Sequence, residues 1–245
     1  SELRAVMYML KKKQVPVTLD QKSLELYFAL GYVPAPRTLY TGVRRLPRRS
    51  WVEYDLHTHT VSESQYDERM AASMSEEQVH TLIEERILSH LVADVPVGVF
   101  FSGGTDSSLI LSILHKHRIE LETFSVRVAG RPGDDMYFDA IANHLDVKAH
   151  MYEFGVVEFE AAYKEVNKKI DEPIYDNSLY PTYFVAQKAA EKVKVVLSGE
   201  GGDEHFFGYP RSLALLPFAN RRLERGVGLV ERLYFLLPHF RGKNK

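Results

Sequence analysis

The chain has 245 residues, 45% of them hydrophobic, which suits one large α/β domain with a small appendage. Its formal charge of −2, from 31 basic and 33 acidic side chains, provides no global basic field to draw in nucleic acid. The absence of cysteine excludes a disulfide framework, a thiolate metal site and a cysteine nucleophile.

The opening "SELRAVMYMLKKKQ" is a short apolar segment with a basic end, the wrong order for a signal peptide. No apolar run is long enough to span a membrane, so a cytoplasmic protein is expected, with no membrane partner. "LDQKSLELYFALGY" predicts a helix with Asp20 as N-cap, Leu24, Phe28 and Leu30 at roughly helical spacing, and Gly31 as stop. Tyr27, Phe28 and Tyr32 are expected to pack this small N-terminal part. "VPAPRT" must be extended or turned. "SWVEYDLHTHTVSESQYD" alternates as a hairpin or edge strand, a reading that puts His57 and His59 on one exposed face with too few partners for a metal. Residues 76–92 form an amphipathic helix with Val79, Leu82, Ile83, Ile87, Leu91 and Val92 as its apolar face.

From Val95 the texture changes. "VPVGVFF" is a near-continuous apolar run, as in a buried parallel strand, and a helix over 105–117 follows it. "ELETFSVRV", "KAHMYEF" and "KVVLSG" predict further strands. "DDMYFDAIANHL", "EFEAAYKEVNKKI" and "TYFVAQKAAEKV" predict the helices between them. This alternation predicts a doubly wound parallel sheet with helices on both faces, preceded by a helix-hairpin extension. The division expected is 1–66 for the extension and 67–245 for the main domain. The short basic runs at 11–13 and 44–49 read as solvated faces. The tail "LVERLYFLLPHFRGKNK" runs from amphipathic to apolar and ends in charge.

Two loops carry the chemistry. In "FFSGGTDSS", Ser102, Gly103 and Gly104 turn a buried strand into a helix. Glycines let main-chain N–H groups approach an anion, the helix N-terminus favours negative charge, and Ser107 and Ser108 add hydroxyl donors. Neither a Walker loop nor G-x-G-x-x-G is present. Asp106 is out of place beside a phosphate unless a cation lies between them. Mg²⁺ takes a carboxylate or two together with phosphate oxygens, so the loop reads as a site for Mg²⁺-pyrophosphate or the βγ end of ATP. The alternative is that Asp106 merely caps its helix. The second loop, "VVLSGEGGDEHFFGY", also ends a strand in Ser-Gly, and its Glu200, Asp203 and Glu204 follow among tight glycines. In open parallel sheets ligands lie outside the carboxyl ends of the strands, so both loops are expected at one crevice. Glu200 and Asp203 would meet a metal-bound phosphate or act as acid and base, or else simply occupy a helix's first turn.

"SGGTDSS" resembles the pyrophosphate loop of the N-type ATP pyrophosphatases, found in asparagine, GMP and NAD synthetases and in some tRNA-modifying ligases. "LSGEGGDEHFFGYPR" narrows the resemblance to the synthetase domain of glutamine-hydrolysing asparagine synthetases. "DEPIYDNSLYPTYFVAQKA", "LGYVPAPRTLYTGVRRLP" and the initial "SEL" are similar to further segments of that family, so the likeness runs from Ser1 to about Arg211. It implies a Rossmann-like, adenine nucleotide alpha hydrolase-like fold. It also implies that ATP adenylates the aspartate β-carboxylate with loss of pyrophosphate, and that ammonia then gives asparagine and AMP. Carried over by residue, Ser102, Gly103, Gly104, Asp106, Ser107 and Ser108 would hold Mg²⁺-pyrophosphate. Phe101, Val126, Ser198 and Gly199 would contact the nucleotide through main chain. Glu200 would serve the ammonia step, and Asp203 would be a second carboxylate near metal and pyrophosphate. Asp176 and Ser178 lie in a segment that either faces the substrate or forms a satisfied loop.

Three departures qualify the resemblance. No cysteine supplies the family's glutaminase nucleophile, so ammonia or a separate glutaminase domain or subunit is the expected nitrogen source, with a homodimer allowed. The later helical segments, including a lysine acting in adenylation, have no clear match after Arg211, and Lys243 and Lys245 are not assigned. Phe207 stands where many relatives have a small residue. Related enzymes amidate other acceptors, closing β-lactams, cyclising peptides or amidating sugars, and a non-catalytic nucleotide-binding fragment is a further alternative. A tRNA-modifying ligase is disfavoured by the net charge.

Overall fold

Caps and side-chain turns set the N-terminal elements. A computed structural model describes residues 2–66, 73–130, 135–147 and 149–209. Helix α1 (Leu3–Lys12) carries lysines in its last turn, at the negative end of the helix dipole. Helix α2 (Gln21–Leu30) starts at Asp20, whose carboxylate accepts the Lys22 N–H (3.1 Å) and the Ser23 hydroxyl (2.8 Å), and it stops before Gly31 as expected. Its inward stripe runs through Ser23, Leu26 and Tyr27, so Phe28 is 82% exposed and Tyr32 half exposed, contrary to their expected packing role. Val33 and Leu39 seal this part instead.

Strands β1 (Ser50–Tyr54) and β2 (Val61–Gln65) form an antiparallel hairpin. His57 and His59 lie in its turn, not on a strand face. The Asp55 carboxylate accepts the N–H groups of His57 (2.7 Å) and Thr58 (2.8 Å), an Asx turn that ends the strand where alternation alone continues. The Thr58 and His57 bonds hold the Asp55 carboxyl below the usual carboxylate range. Helix α3 (Glu76–Ser89) opens with a capping box between Ser75 and Gln78. Ser89 Oγ and His90 Nδ1 both bond the Arg86 carbonyl at its far end, and Val92, expected on its apolar face, is left exposed beyond it.

The main sheet follows as β3 (Val97–Phe100), α4 (Thr105–Lys116), β4 (Glu122–Val128), α5 (Asp135–His144), β5 (Ala149–Phe154), α6 (Val156–Asn167), α7 (Leu179–Ala190) and β6 (Val195–Leu197), with the short α8 (Gly202–Phe206) last. The four strands are all parallel, in the order β5-β4-β3-β6. Period-two alternation divides their side chains between two cores. Val99 and Phe101 pack with Ile110, Leu111 and Leu114 of α4 and with Leu145, joined by Ile87 of α3 and Ile141 of α5. Phe124 packs on the opposite face with Val185 and Ala189 of α7, joined by Phe100, Val126, Tyr152 and Val196. Full burial of such a side chain contributes about 1.5–3 kcal/mol. Helices therefore cover both faces, as expected of a doubly wound sheet.

The chain divides into two compact units, Ser1–Leu197 and Ser198–Lys245. Among the described residues, the first contains all the strands and α1–α7, and the second contains α8. The expected division at 66/67 borders residues 67–72, which lie outside the described residues, as does the tail over 210–245 with Lys243 and Lys245. Within the first unit the extension is fastened to the segment before α7. Glu172 accepts the Leu39 N–H (2.6 Å) and pairs with Arg45, the Arg4 N–H bonds Asp171 (2.9 Å), and the Tyr175 N–H bonds the Gly31 carbonyl (2.7 Å). Among the described residues no helix is long and apolar enough to cross a membrane.

A Cβ at position 98 would lie 2.8 Å from Phe124 Cε2 and 2.9 Å from the Glu122 carbonyl oxygen, so β3 admits only glycine there. Gly98→Ala is expected to lower unfolding free energy by about 1–3 kcal/mol in a urea titration. On α3, Glu84 bonds Lys116 (2.6 Å) and His117 (2.6 Å), Lys116 foremost, and these partners lower its pKa. A depressed carboxylate pKa adds stability above its unfolded value, and that stability is lost as pH falls through the folded value. Glu84→Gln is expected to melt below the wild type at neutral pH, with the two melting temperatures converging in acid.

Candidate functional site

The order β5-β4-β3-β6 means the chain builds outward from β3 through β4 and β5, then returns to the other side of β3. The reversal falls between β3 and β6, whose parallel register pairs Val99 with Leu197 and sets their carboxyl ends side by side. This topological switch point is where open α/β sheets bind ligands. The loop over 102–104 leaves β3 at that edge.

Local bonds shape this loop. Phe101, 1% exposed, donates its N–H to the Phe124 carbonyl (2.9 Å), and its own carbonyl accepts the buried Ser125 hydroxyl (2.6 Å). The Phe101 main chain expected to touch nucleotide is thus engaged with β4. Ser107 Oγ accepts the Ser102 N–H (3.3 Å), lies 3.2 Å from Ser102 Oγ and donates to the Gly104 carbonyl (3.2 Å). The Ser108 hydroxyl donates to the same carbonyl (2.7 Å). Both hydroxyls therefore knit the loop's own main chain together. Gly104 is the N-cap of α4 and offers no capping side chain, so the first-turn N–H groups of Thr105, Asp106 and Ser107 have no intrahelical acceptor. Donors of this kind at a helix N-terminus suit an anion.

Asp106 is half-buried in that first turn and makes no side-chain hydrogen bond or ion pair among the described residues. It does not cap its helix by hydrogen bonding, which leaves its carboxylate available to a cation. Val126 lies on β4 opposite Tyr152, on the face that carries α7.

The second unit begins at Ser198, whose hydroxyl accepts the Glu200 N–H (3.4 Å), while the Gly199 carbonyl accepts the Gly202 N–H (3.2 Å). Glu200 is exposed. Asp203, in the first turn of α8, is half-buried, and its carbonyl accepts the Gly208 N–H (3.0 Å). Neither carboxylate has a partner among the described residues, whereas Glu204 accepts the Tyr209 hydroxyl (2.7 Å). Phe207 takes a left-handed φ of 57°, a backbone region unfavourable to a bulky residue. Asp176 and Ser178 bond one another at the start of α7, with the Ser178 hydroxyl 2.7 Å and its N–H 2.8 Å from the same carboxylate oxygen.

Among the described residues no three His, Asp or Glu side chains form a ready-made cation cluster. An unpartnered carboxylate beside free N–H donors fits Mg²⁺ shared with phosphate oxygens, since that ion keeps few protein ligands. Sequence reading overlooked Ser125 and Phe138. Phe138, on α5, stacks on Phe101 with ring centroids 4.6 Å apart. No local pattern near the loop marks either residue.

Comparison with known proteins gives these features a lineage. The chain is 32% identical over 219 residues to a putative glutamine-hydrolyzing asparagine synthetase 2 of Methanocaldococcus jannaschii, covering 85% of this chain and 42% of that protein. A putative glutamine-hydrolyzing asparagine synthetase of Mycobacterium tuberculosis is 33% identical over 248 residues, covering 95% of this chain and 38% of its own length. Asparagine synthetase B of Escherichia coli is 33% identical over 186 residues, covering 68% and 31%. The chain thus spans less than half the length of these relatives. The asparagine synthase family model matches residues 78–243, running on past Arg211, where the quoted resemblances ended. With that match over the sheet and both acidic loops, the chain belongs to the asparagine synthase family.

Proposed function

We propose that the chain carries the ATP-dependent amidation half-reaction of an asparagine synthetase, with aspartate as acceptor. The observation that carries this reading is the Gly104-capped N-terminus of α4, which presents free N–H donors and the unpartnered Asp106 carboxylate at the β3–β6 switch point. An aspartate β-carboxylate oxygen attacks the α-phosphorus of ATP. The bond to the bridging oxygen breaks, and aspartyl-AMP and pyrophosphate result. Ammonia then attacks the acyl carbon, AMP leaves with the acyl–oxygen electron pair, and asparagine is formed.

The glycine loop's role is to bind the departing pyrophosphate through main-chain N–H groups, where the helix dipole favours its charge. The Ser102, Ser107 and Ser108 hydroxyls keep those groups in place through the bonds within the loop. Asp106 is the proposed holder of Mg²⁺ in the first unit, and Asp203 is a proposed cation ligand in the second. When bound, that ion supplies neutralisation of developing phosphate charge. Glu200 is the proposed base that takes a proton from the attacking ammonia. Phe101, Val126, Ser198 and Gly199 are proposed to border the nucleotide, and Asp176 and Ser178 the acceptor. With no thiol in the 245 residues, nitrogen arrives as ammonia, free or from a glutaminase domain or subunit.

The test supplies ATP, Mg²⁺, aspartate and ammonia and measures pyrophosphate and asparagine. Asp106→Ala is expected to reduce pyrophosphate release by about 10²–10³-fold. Glu200→Ala is expected to reduce asparagine formation by about 10²–10⁴-fold. Folded chain that releases no pyrophosphate under these conditions refutes the reading.

A further inference from the structure

The geometry points to Phe138 of α5 as a positioning residue for the glycine loop, an inference that rests on the loop's proposed role in holding pyrophosphate. Gly103 has φ +82°, in the left-handed region. A Cβ built on it would stand 3.1 Å from the N, Cα and Cβ atoms of Phe138. The main chain of α5 therefore lies directly against the inner side of the turn, so tightly that a side chain at 103 would have to displace it by a few tenths of an ångström. The loop and α5 are in contact through backbone, so a shift of α5 moves the loop.

The Phe138 ring holds α5 at that distance. It stacks on Phe101, with centroids 4.6 Å apart and planes inclined by 29°. Phe101 is itself fixed, because it is buried in the core of α3, α4 and α5 and its main chain is bonded on both sides to β4. The stack thus joins α5 to a buried, main-chain-bonded residue beside the loop. With Gly103 backed in this way, the turn into Gly104 keeps the first N–H groups of α4 directed outward from the carboxyl edge. Phe138 touches no reacting atom in this arrangement. Its contribution is orientation of donors, and orientation governs how tightly they hold an anion. A ring is suited to the task because it has few rotamers and a flat face, whereas an aliphatic chain of similar volume would permit sliding.

The experiment measures binding of inorganic pyrophosphate with Mg²⁺ to the full chain by titration calorimetry, below the melting temperature of each variant as read by circular dichroism. Phe138→Ala is expected to weaken binding about 3- to 10-fold. Phe138→Leu, which retains apolar volume but not the ring, is expected to weaken it in the same direction and carries the test if the alanine variant does not fold. Phe138→Tyr, which keeps the stack, is expected to restore wild-type affinity. A merely structural role would lower the melting temperature of the variants and leave the affinity of the folded protein unchanged. Folded Phe138→Leu with wild-type affinity, beside a wild type that binds, overturns this inference alone. A wild-type chain that binds no Mg²⁺-pyrophosphate overturns the reading of the loop, and this inference with it.

Discussion

Close main-chain approach around β3 is the constraint on which the rest of the first unit depends. Gly98 brings the strand against the Glu122 carbonyl and the Phe124 ring, and Gly103 brings the loop against the backbone of α5. Between them β3 is bonded on both edges, to β4 and β6, and sends Val99 and Phe101 to one core and Phe100 to the other. A strand confined on four sides has a fixed end, and the glycine loop inherits its position from that end. Interiors packed at such density do not deform gradually, so an error of one methyl group at 98 or 103 is transmitted to the donors of α4.

Charge at the same end bears on the reading proposed for Asp106. A carboxylate in a helix's first turn gains from the dipole whether or not it binds anything, so residue type alone does not separate a cap from a ligand. The bonding pattern separates them. Gly104 leaves the first-turn N–H groups without a capping side chain, and Asp106 does not take up that task. Ser107 and Ser108 also turn inward to the Gly104 carbonyl. A loop that satisfies its own hydroxyls while leaving N–H donors and one carboxylate unengaged meets what the proposed binding of an anion with a cation requires.

Much of this architecture was legible because its signals are local. Continuous apolar runs mark strands buried on both faces, and Asp20 and Gly31 mark helix ends through bonds within one turn. The glycine loop was legible for the same reason, since its bonds span five residues or fewer. The failures are places where a neighbour not evident in the pattern decides the outcome. Asp55 closes the hairpin turn with its own side chain, so His57 and His59 leave the strand face. Phe28 points outward because the cap at Asp20 turns Ser23 inward. Ser125 and Phe138 reach the loop from β4 and α5, and nothing in the intervening sequence announces their arrival.

The N-terminal extension raises a different question, whether it is an appendage or part of the working fold. Glu172 answers it by its burial. Its side chain is 8% exposed, and it accepts the Leu39 N–H while paired with Arg45, both groups coming from the extension. A carboxylate so withdrawn from water is tolerated only while its partners remain, because an unpaired buried charge costs several kcal/mol, of order 3–5. Arg45 in turn donates to the Val33 carbonyl (2.8 Å), and Asp20 holds Arg37 (2.7 Å), so the partners are themselves fixed within the extension. Tyr175, three residues beyond Glu172, completes the attachment through the Gly31 carbonyl, and the chain then enters the Asp176–Ser178 turn and α7. The extension therefore determines where α7 begins, and α7 covers one face of the sheet. Residues 2–66 belong physically to the sheet domain even though their sequence texture sets them apart.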